Sequence, residues 1–168
     1  RDDVALTLDT GHFHPTELVS AKLSAILEFK DKVLLHVSRP VRWDSDHVVA
    51  FDDETRAIMR EIARLDAFDR VYIATDYFDA SVNRIMALAV GARNTKKAIL
   101  EAMLQPVDTL KKLERDGDTG SRLALCEELK TMPIGDVWDY YCEKNGVLTG
   151  VDWIADAKKY EDEVLSNR

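Results

Sequence analysis

Cysteine is scarce in this sequence, with only Cys126 and Cys142 in 168 residues. Two thiols are too few for a disulfide scaffold, and their spacing is not that of a metal-binding pair. A reducing, intracellular setting is therefore expected, with the cytoplasm as the compartment. Positive charge is also short. Lys and Arg number 23 against 31 Asp and Glu, a net charge of −8. No basic stripe is present, so a phosphate-backbone partner has little electrostatic support and nucleic acid is not an expected partner. No apolar run approaches the length of a membrane span and no signal peptide is recognisable, so no membrane partner is expected. An initial Met is missing too. The chain opens Arg-Asp-Asp and enters a strand at once, which reads as a cut inside a longer protein. With 46% hydrophobic residues it can still bury a core, as one domain or as part of a larger one.

What is present is an alternation of element types. "VALTL" (Val4 to Leu8) and "KVLLHVS" (Lys32 to Ser38) are short apolar runs of the kind buried on both faces in parallel sheets, and "VYIATD" (Val71 to Asp76) is a third strand. Between the first two, Pro15 fits a helix start, with Glu17 in the first turn. Leu18, Val19, Lys22, Leu23, Ile26 and Leu27 follow at helical spacing. Asp52 to Phe68 reads as a helix with Ile58, Ile62 and Leu65 on one face. Asp52, Asp53 and Glu54 form its acidic start. Ala80 to Leu104 reads as a further helix, with a candidate break at Gly91. This β-α-β-α-β-α order argues for parallel strands with right-handed crossovers. Three strands cannot close a barrel, but they can be the last part of one or the edge of an open sheet. After Gln105 the pattern is helical and charged, punctuated by Gly117, Pro133 and Gly146. Leu110, Leu113, Leu123, Leu129, Val137, Trp138, Tyr141, Trp153 and Ile154 recur at helical intervals. The expected division is 1–105 for the βα units and 106–168 for a helical extension packing on its own barrel or on a neighbouring subunit.

Chemistry-bearing residues gather where strands end. "LDTGHFHPTE" (Leu8 to Glu17) places Asp9, His12 and His14 just after the first strand. The second strand carries His36 and runs into a long loop with Asp44 and Asp46. The third ends at Asp76, with Asp79 beyond. In a parallel sheet these ends lie on one edge, so residues distant in sequence converge. Carboxylates and imidazoles without thiolates suit Mn²⁺ or Mg²⁺, with Zn²⁺ or Co²⁺ also possible. Asp44 and Asp46, two apart on an extended stretch, can face one ion. Each residue alone has a plainer reading. Asp9 or Asp76 could be a turn or cap residue, His36 a core histidine, and the Asp44–Asp46 pair a solvated loop. Concurrence at all three strand ends favours a metal site, and a long loop in a compact domain often carries function. Asp52 to Glu54 take the plain reading, and His47 has no clear geometric claim. Arg39 and Arg42 could neutralise the site, touch substrate or pair on the surface. Phe13, Trp43, Tyr77 and Phe78 lie beside the candidate ligands, where aromatic faces suit the C–H faces of a sugar, although ordinary packing serves equally.

"LDTGHFHPTE", "LLHVSRPVRWDSDHVV", "FDRVYIATDYFDAS" and Val82 to Arg84 closely resemble the bacterial L-rhamnose isomerases, and the resemblance runs through the "ARNTKKAIL" helix and the tail. It implies the C-terminal part of a (β/α)₈ TIM barrel: the last three βα units, then a helical extension. It also implies an aldose–ketose isomerase converting L-rhamnose to L-rhamnulose in carbohydrate catabolism, with two Mn²⁺ ions per site (Co²⁺, Zn²⁺ or Mg²⁺ as alternatives) and a homotetrameric whole protein. Carried over residue by residue, Asp9 and His12 are metal ligands, His36 and Asp76 belong to the structural ion, and Asp44 and Asp46 hold the catalytic ion. The implied catalytic set is His12, Asp44 and Asp46, and the implied substrate contacts are His12, Asp44, Asp76 and Phe78. Hydride moves between C2 and C1, and a water positioned by Asp44 or a neighbour moves the proton between the oxygens. A Glu ligand and a Lys that the family also uses lie upstream of Arg1, so these 168 residues alone are expected to be inactive. Two competitors remain: a metal-dependent phosphoesterase or endonuclease on the same barrel, which the acidic charge disfavours, and a non-catalytic half-barrel assembly module.

Overall fold

The computed structural model describes residues 4–14, 16–42 and 45–167. Its centre is a parallel sheet in the order β1-β2-β3, formed by Leu6–Asp9, Val33–Val37 and Val71–Thr75. Helix α1 (Leu23–Leu27) follows β1, α2 (Asp53–Arg64) follows β2 and α3 (Arg84–Met103) follows β3. The chain then continues through α4 (Val107–Arg115), α5 (Thr119–Leu129), α6 (Ile134–Lys144) and α7 (Asp152–Glu163) to a short 3-10 turn, Leu165–Asn167. The alternation read from the sequence is therefore present as a mixed α/β fold with a small parallel sheet.

Register gives the sheet two unlike faces. Leu8 pairs with Leu35, and Leu35 with Ile73. Parallel partners point the same way and successive side chains alternate. Leu8, Val33, Leu35, Val37 and Val71 thus form one face, and all are buried in a core with Leu23, Leu27, Ile58, Met59 and Ile62 from α1 and α2. The other face carries Thr7, Asp9, Leu34, His36, Tyr72 and Ala74. There Tyr72 is 49% exposed.

Three element boundaries differ from the sequence reading. The helix expected from Pro15 is only Leu23–Leu27, and Pro15 itself lies outside the described residues. Residues 16–22 are turns and irregular backbone, tied across to α2 where the Ser20 backbone and hydroxyl donate to Glu54 at 2.9 and 2.8 Å. The apolar stripe still buries Val19, Leu23 and Leu27, but Leu18 is exposed. Helix α2 has the predicted start: the Asp52 carboxylate caps it by accepting from the Thr55 N–H at 2.9 Å. It stops at Arg64, short of Phe68, because Asp66 turns left-handed (φ 52°) and the Ala67 N–H reaches back to the Ile62 carbonyl at 3.0 Å. That pattern closes a helix and satisfies its last carbonyls.

Helix α3 begins at Arg84 and not at Ala80, since the Asn83 side chain caps it by accepting from the Ile85 and Met86 N–H groups. It also runs unbroken through Gly91. The reason for glycine there is space. A Cβ at Gly91 would stand 2.0 Å from the Tyr77 hydroxyl oxygen, which donates to the Ala87 and Leu88 carbonyls at 3.1 and 3.2 Å. Burial pushes the Tyr77 phenol pKa upward.

The helical segment after Gln105 packs back on α2 through α4 and on α3 through α6 and α7. Arg93 of α3 lies between the Trp138 and Trp153 rings, 5.2 Å from each centroid. Trp138 and Cys142 are buried, whereas Leu123 of the expected apolar set is exposed.

Glu101, 1% exposed on α3, is held by Arg56 and Arg60 of α2. Burial by itself would raise its carboxyl pKa, but the hydrogen bonds and charges of the two arginines outweigh it and hold the value below the usual carboxylate range. A depressed folded-state pKa contributes stability that is full above the unfolded value and is lost as pH falls through the folded one. Glu101→Gln should therefore cost about 3 kcal/mol at neutral pH, by leaving two arginines short of their counter-charge. The gap to wild type should narrow below about pH 4, near the ordinary carboxylate pKa. Urea midpoints across pH 3–7 provide the measurement, and a gap that does not change with pH would contradict this account.

Candidate metal centre

The site follows from the register. Asp9 and His36 are direct partners across β1 and β2 on the exposed face, and Asp76 follows β3 on the same face, with its N–H on the Val37 carbonyl at 3.2 Å. His36 Nδ1 lies 3.0 Å from Asp76 Oδ2 and 3.4 Å from Asp9 Oδ2. A second group sits beside it: His12 Nε2 lies 3.3 Å from Asp46 Oδ2 and 3.8 Å from Asp9 Oδ2. Within each trio, Asp9–His12–Asp46 and Asp9–His36–Asp76, the ligand atoms lie within 4.8 Å of one another. Asp9 belongs to both.

Asp46 arrives from a folded-back loop. Arg39 and His47 form an antiparallel bridge, with N–H to carbonyl distances of 2.9 and 3.2 Å, and the Ser45 N–H donates to the Gly11 carbonyl at 3.1 Å. This brings Asp46 against the end of β1. Gly11 is not left-handed, so a positive φ does not explain the glycine. Its value is again space, because a Cβ there would stand 2.0 Å from Asp46 Oδ1.

The donor chemistry fits a divalent cation. Asp9 Oδ1 accepts the Gly11 N–H at 3.0 Å and Asp46 Oδ1 accepts the Ser38 hydroxyl at 2.8 Å, so both carboxylates turn Oδ2 toward His12. Three carboxylates with two imidazoles make an oxygen-rich, thiolate-free set suited to hard or borderline ions. The site is not deeply buried: the side-chain exposure is 15% for Asp9, 26% for Asp46, 54% for His12 and 59% for Asp76.

Of the residues named from the sequence, Asp9, His12, His36, Asp46 and Asp76 are brought together. Asp44 and Trp43 lie outside the described residues. Phe78 is 79% exposed and lines, with Tyr77, Val82 and Leu88, a cavity of about 400 Å³ beside the end of β3. Asp79 joins neither trio and pairs with His47 at 3.3 Å. The Ser81 hydroxyl and N–H, and then His47, hold the Asp79 carboxyl down at about 2. Arg39 Nε donates to the Val48 carbonyl at 3.2 Å, a bond within the loop. Phe13 packs against the core with the Lys22 ammonium 5.3 Å from its ring centroid. Sequence reasoning missed Thr10 and Ser38, small hydroxyl residues with no spacing signal. Their position beside ligand residues was the available clue.

The shared carboxylate has a measurable consequence. Asp9→Ala should weaken Mn²⁺ binding at both trios, and Asp76→Ala at one. Equilibrium dialysis of the protein against Mn²⁺ measures this, and two unaltered sites in Asp9→Ala would remove Asp9 from both.

Comparison with known proteins gives the family. The L-rhamnose isomerase (RhaA) family model matches residues 1–168. The L-rhamnose isomerase of Enterobacter sp. (strain 638) is 56% identical over 164 residues, covering 98% of this chain and 39% of that protein. Those of Mannheimia succiniciproducens and Salmonella paratyphi B are 57% and 55% identical over the same spans. The chain thus spans 39% of the length of these curated relatives. With a family model matched from its first residue to its last, the chain belongs to the L-rhamnose isomerase family.

Proposed function

We propose that the protein carrying this chain interconverts L-rhamnose and L-rhamnulose as a divalent-metal aldose–ketose isomerase, and that this chain supplies the last three βα units of a (β/α)₈ barrel. The observation that carries the reading is the pair of ligand trios sharing Asp9 at the C-terminal ends of parallel strands, in a chain matched throughout by the family model. The C-terminal edge of a parallel sheet is where barrel enzymes place their chemistry. In this reading Asp9, His36 and Asp76 hold one ion, and His12 and Asp46, with Asp44, hold the other alongside Asp9.

Bound divalent ions would supply Lewis acidity toward neighbouring sugar oxygens. The chain's own residues do the rest. Asp9 fixes the spacing between the two trios. His12, more exposed than Asp9 and Asp46, stands on the side from which a sugar enters. The overall change moves a hydride from C2 to C1 and a proton from O2 to O1. Asp44, as the carboxylate nearest Asp46 in sequence, orients the water that carries the proton. Phe78 offers an exposed apolar ring to the sugar's C–H face. The implied homotetramer is part of the same proposal. Among the described residues, no helix is long and apolar enough to cross a membrane.

Full-length protein should lose isomerase activity on exhaustive EDTA treatment and regain it with Mn²⁺ or Co²⁺ above Mg²⁺, because the imidazoles favour the former ions. Undiminished activity after EDTA would sink the reading. Asp46→Ala should lower kcat by orders of magnitude while the fold survives, each factor of ten requiring only about 1.4 kcal/mol. The helix cap Asp52→Ala serves as control, with about 1 kcal/mol of stability lost and catalysis unchanged.

These 168 residues by themselves should be inactive on L-rhamnose and should self-associate. Leu6 on the outer strand β1 and Tyr72 on β3 are partly exposed, and unpaired apolar edges attract other chains. Size-exclusion chromatography and a ketose assay decide this, and a monodisperse monomer turning over L-rhamnose would overturn it.

A further inference from the structure

One buried hydroxyl, of Ser38, bonds the Asp46 carboxylate, and a second, of Thr10, bonds the Ser38 backbone. Thr10 is 6% exposed and Ser38 is 3% exposed. Thr10 Oγ1 donates to the Ser38 carbonyl and accepts the Ser38 N–H, both at 2.8 Å. Its single proton is therefore committed. Ser38 Oγ lies 2.8 Å from Asp46 Oδ1 and 3.3 Å from Thr10 Oγ1. An ionised carboxylate has no proton to give and is the stronger acceptor, so the Ser38 proton goes to Asp46. Both hydroxyl protons are thus committed elsewhere, and the 3.3 Å approach of the two hydroxyl oxygens is left without a donor. The Thr10 N–H also donates to the His36 carbonyl at 3.0 Å, extending the β1–β2 ladder past Asp9 and anchoring the pair to the sheet.

Gly11 completes the seat. The Asp46 Oδ1 atom occupies the position that a Gly11 side chain would take, and the same missing Cβ would stand 2.7 Å from Ser38 Oγ. Oδ1 is thus held by protein, and Oδ2 is left facing His12 Nε2 at 3.3 Å. We infer that Ser38, braced by Thr10, is a positioning residue that presents Asp46 to a divalent cation through Oδ2 alone. The inference rests on the metal-centre reading above. Groups that hydrogen-bond to ligating side chains orient them, and losing one commonly lowers metal affinity about tenfold to a hundredfold.

The test uses full-length protein and binding readouts. Mn²⁺ affinities come from equilibrium dialysis, ligand geometry from the visible spectrum of the Co²⁺ form, and stability from urea unfolding of the metal-free protein. Ser38→Ala is expected to weaken one of two ion sites about tenfold to a hundredfold, to alter the Co²⁺ spectrum, and to leave the second site as in wild type. Thr10→Val should produce the same selective loss, and Thr10→Ser, which keeps the hydroxyl, should restore both affinity and spectrum. If Ser38→Ala does not fold, the Thr10 pair decides: rescue by Ser supports the inference and no rescue overturns it. A change in urea midpoint with both ion affinities and the Co²⁺ spectrum unchanged would show a purely structural role and overturn it. Asp46→Ala separates the two levels. If that variant loses an ion site while Ser38→Ala keeps both, only the positioning role falls. If Asp46→Ala itself binds two ions like wild type, the metal-centre assignment of Asp46 falls, and the role of Ser38 with it.

Discussion

The parallel register, with Leu8 opposite Leu35 and Leu35 opposite Ile73, sorts the side chains of the molecule into two sets. The set pointing toward α1 and α2 is aliphatic and buried. The other set contains Asp9 and His36 as direct partners, with Asp76 after the end of β3. Because side chains alternate along a strand, a slip of one residue would move the imidazole and carboxylates into the core and the leucines out of it. The burial of Val33, Leu35 and Val37 therefore also positions the polar cluster. The same apolar contacts that hold the fold place the ligands, and the His36–Asp76 and His12–Asp46 contacts at 3.0 and 3.3 Å add to that placement.

That arrangement also brings together three carboxylates that repel one another. Asp9, Asp46 and Asp76 carry like charge at one sheet edge, with His12 and His36 between them. Like charges close together disfavour ionisation, and a nearby cation reverses that preference. Protein groups answer part of the charge: the Gly11 N–H serves Asp9, and the Ser38 hydroxyl serves Asp46. Each bond engages one carboxylate oxygen and leaves the other directed at an imidazole. Asp79 is a useful contrast. Ser81 and His47 satisfy it locally, and it belongs to neither trio. A strand-end aspartate with a local partner is a loop residue, whereas one sharing its free oxygen with other ligand-type groups is a candidate ligand.

The sequence showed much of this because strand ends are local signals. Apolar runs marked the three strands, and their order implied parallel pairing. Five of the candidate ligands, Asp9, His12, His36, Asp46 and Asp76, do meet. What could not be read depended on tertiary partners. The turns before α1 depend on Glu54 from another helix. The start of α3 depends on Asn83 outcompeting earlier positions as a cap. Gly91 reads as a break in a linear pattern, but it is a notch for a tyrosine fourteen positions earlier in the chain. Gly11, between Asp9 and His12, is likewise the space filled by Asp46. Glycine signals either backbone freedom or close approach, and a single sequence does not distinguish them.

These two glycines show how the loops beyond the sheet become fixed. At Gly91, the Tyr77 ring that follows the end of β3 is received by α3, and its hydroxyl bonds to carbonyls of that helix. At Gly11, the carboxylate from the β2–α2 loop is received by the end of β1. In both cases a polar group from one loop fills the volume of a missing side chain on its neighbour, the Tyr77 hydroxyl bonding to that neighbour's carbonyls and the Asp46 carboxylate to Ser38 at the start of its own loop. Any larger residue would push the incoming group away, and with it Asp46 directly or Asp76 through its neighbour Tyr77. Packed interiors tolerate little change in volume. Ligand positions in this sheet edge are thus set by two absences of side chain as much as by the ligands present.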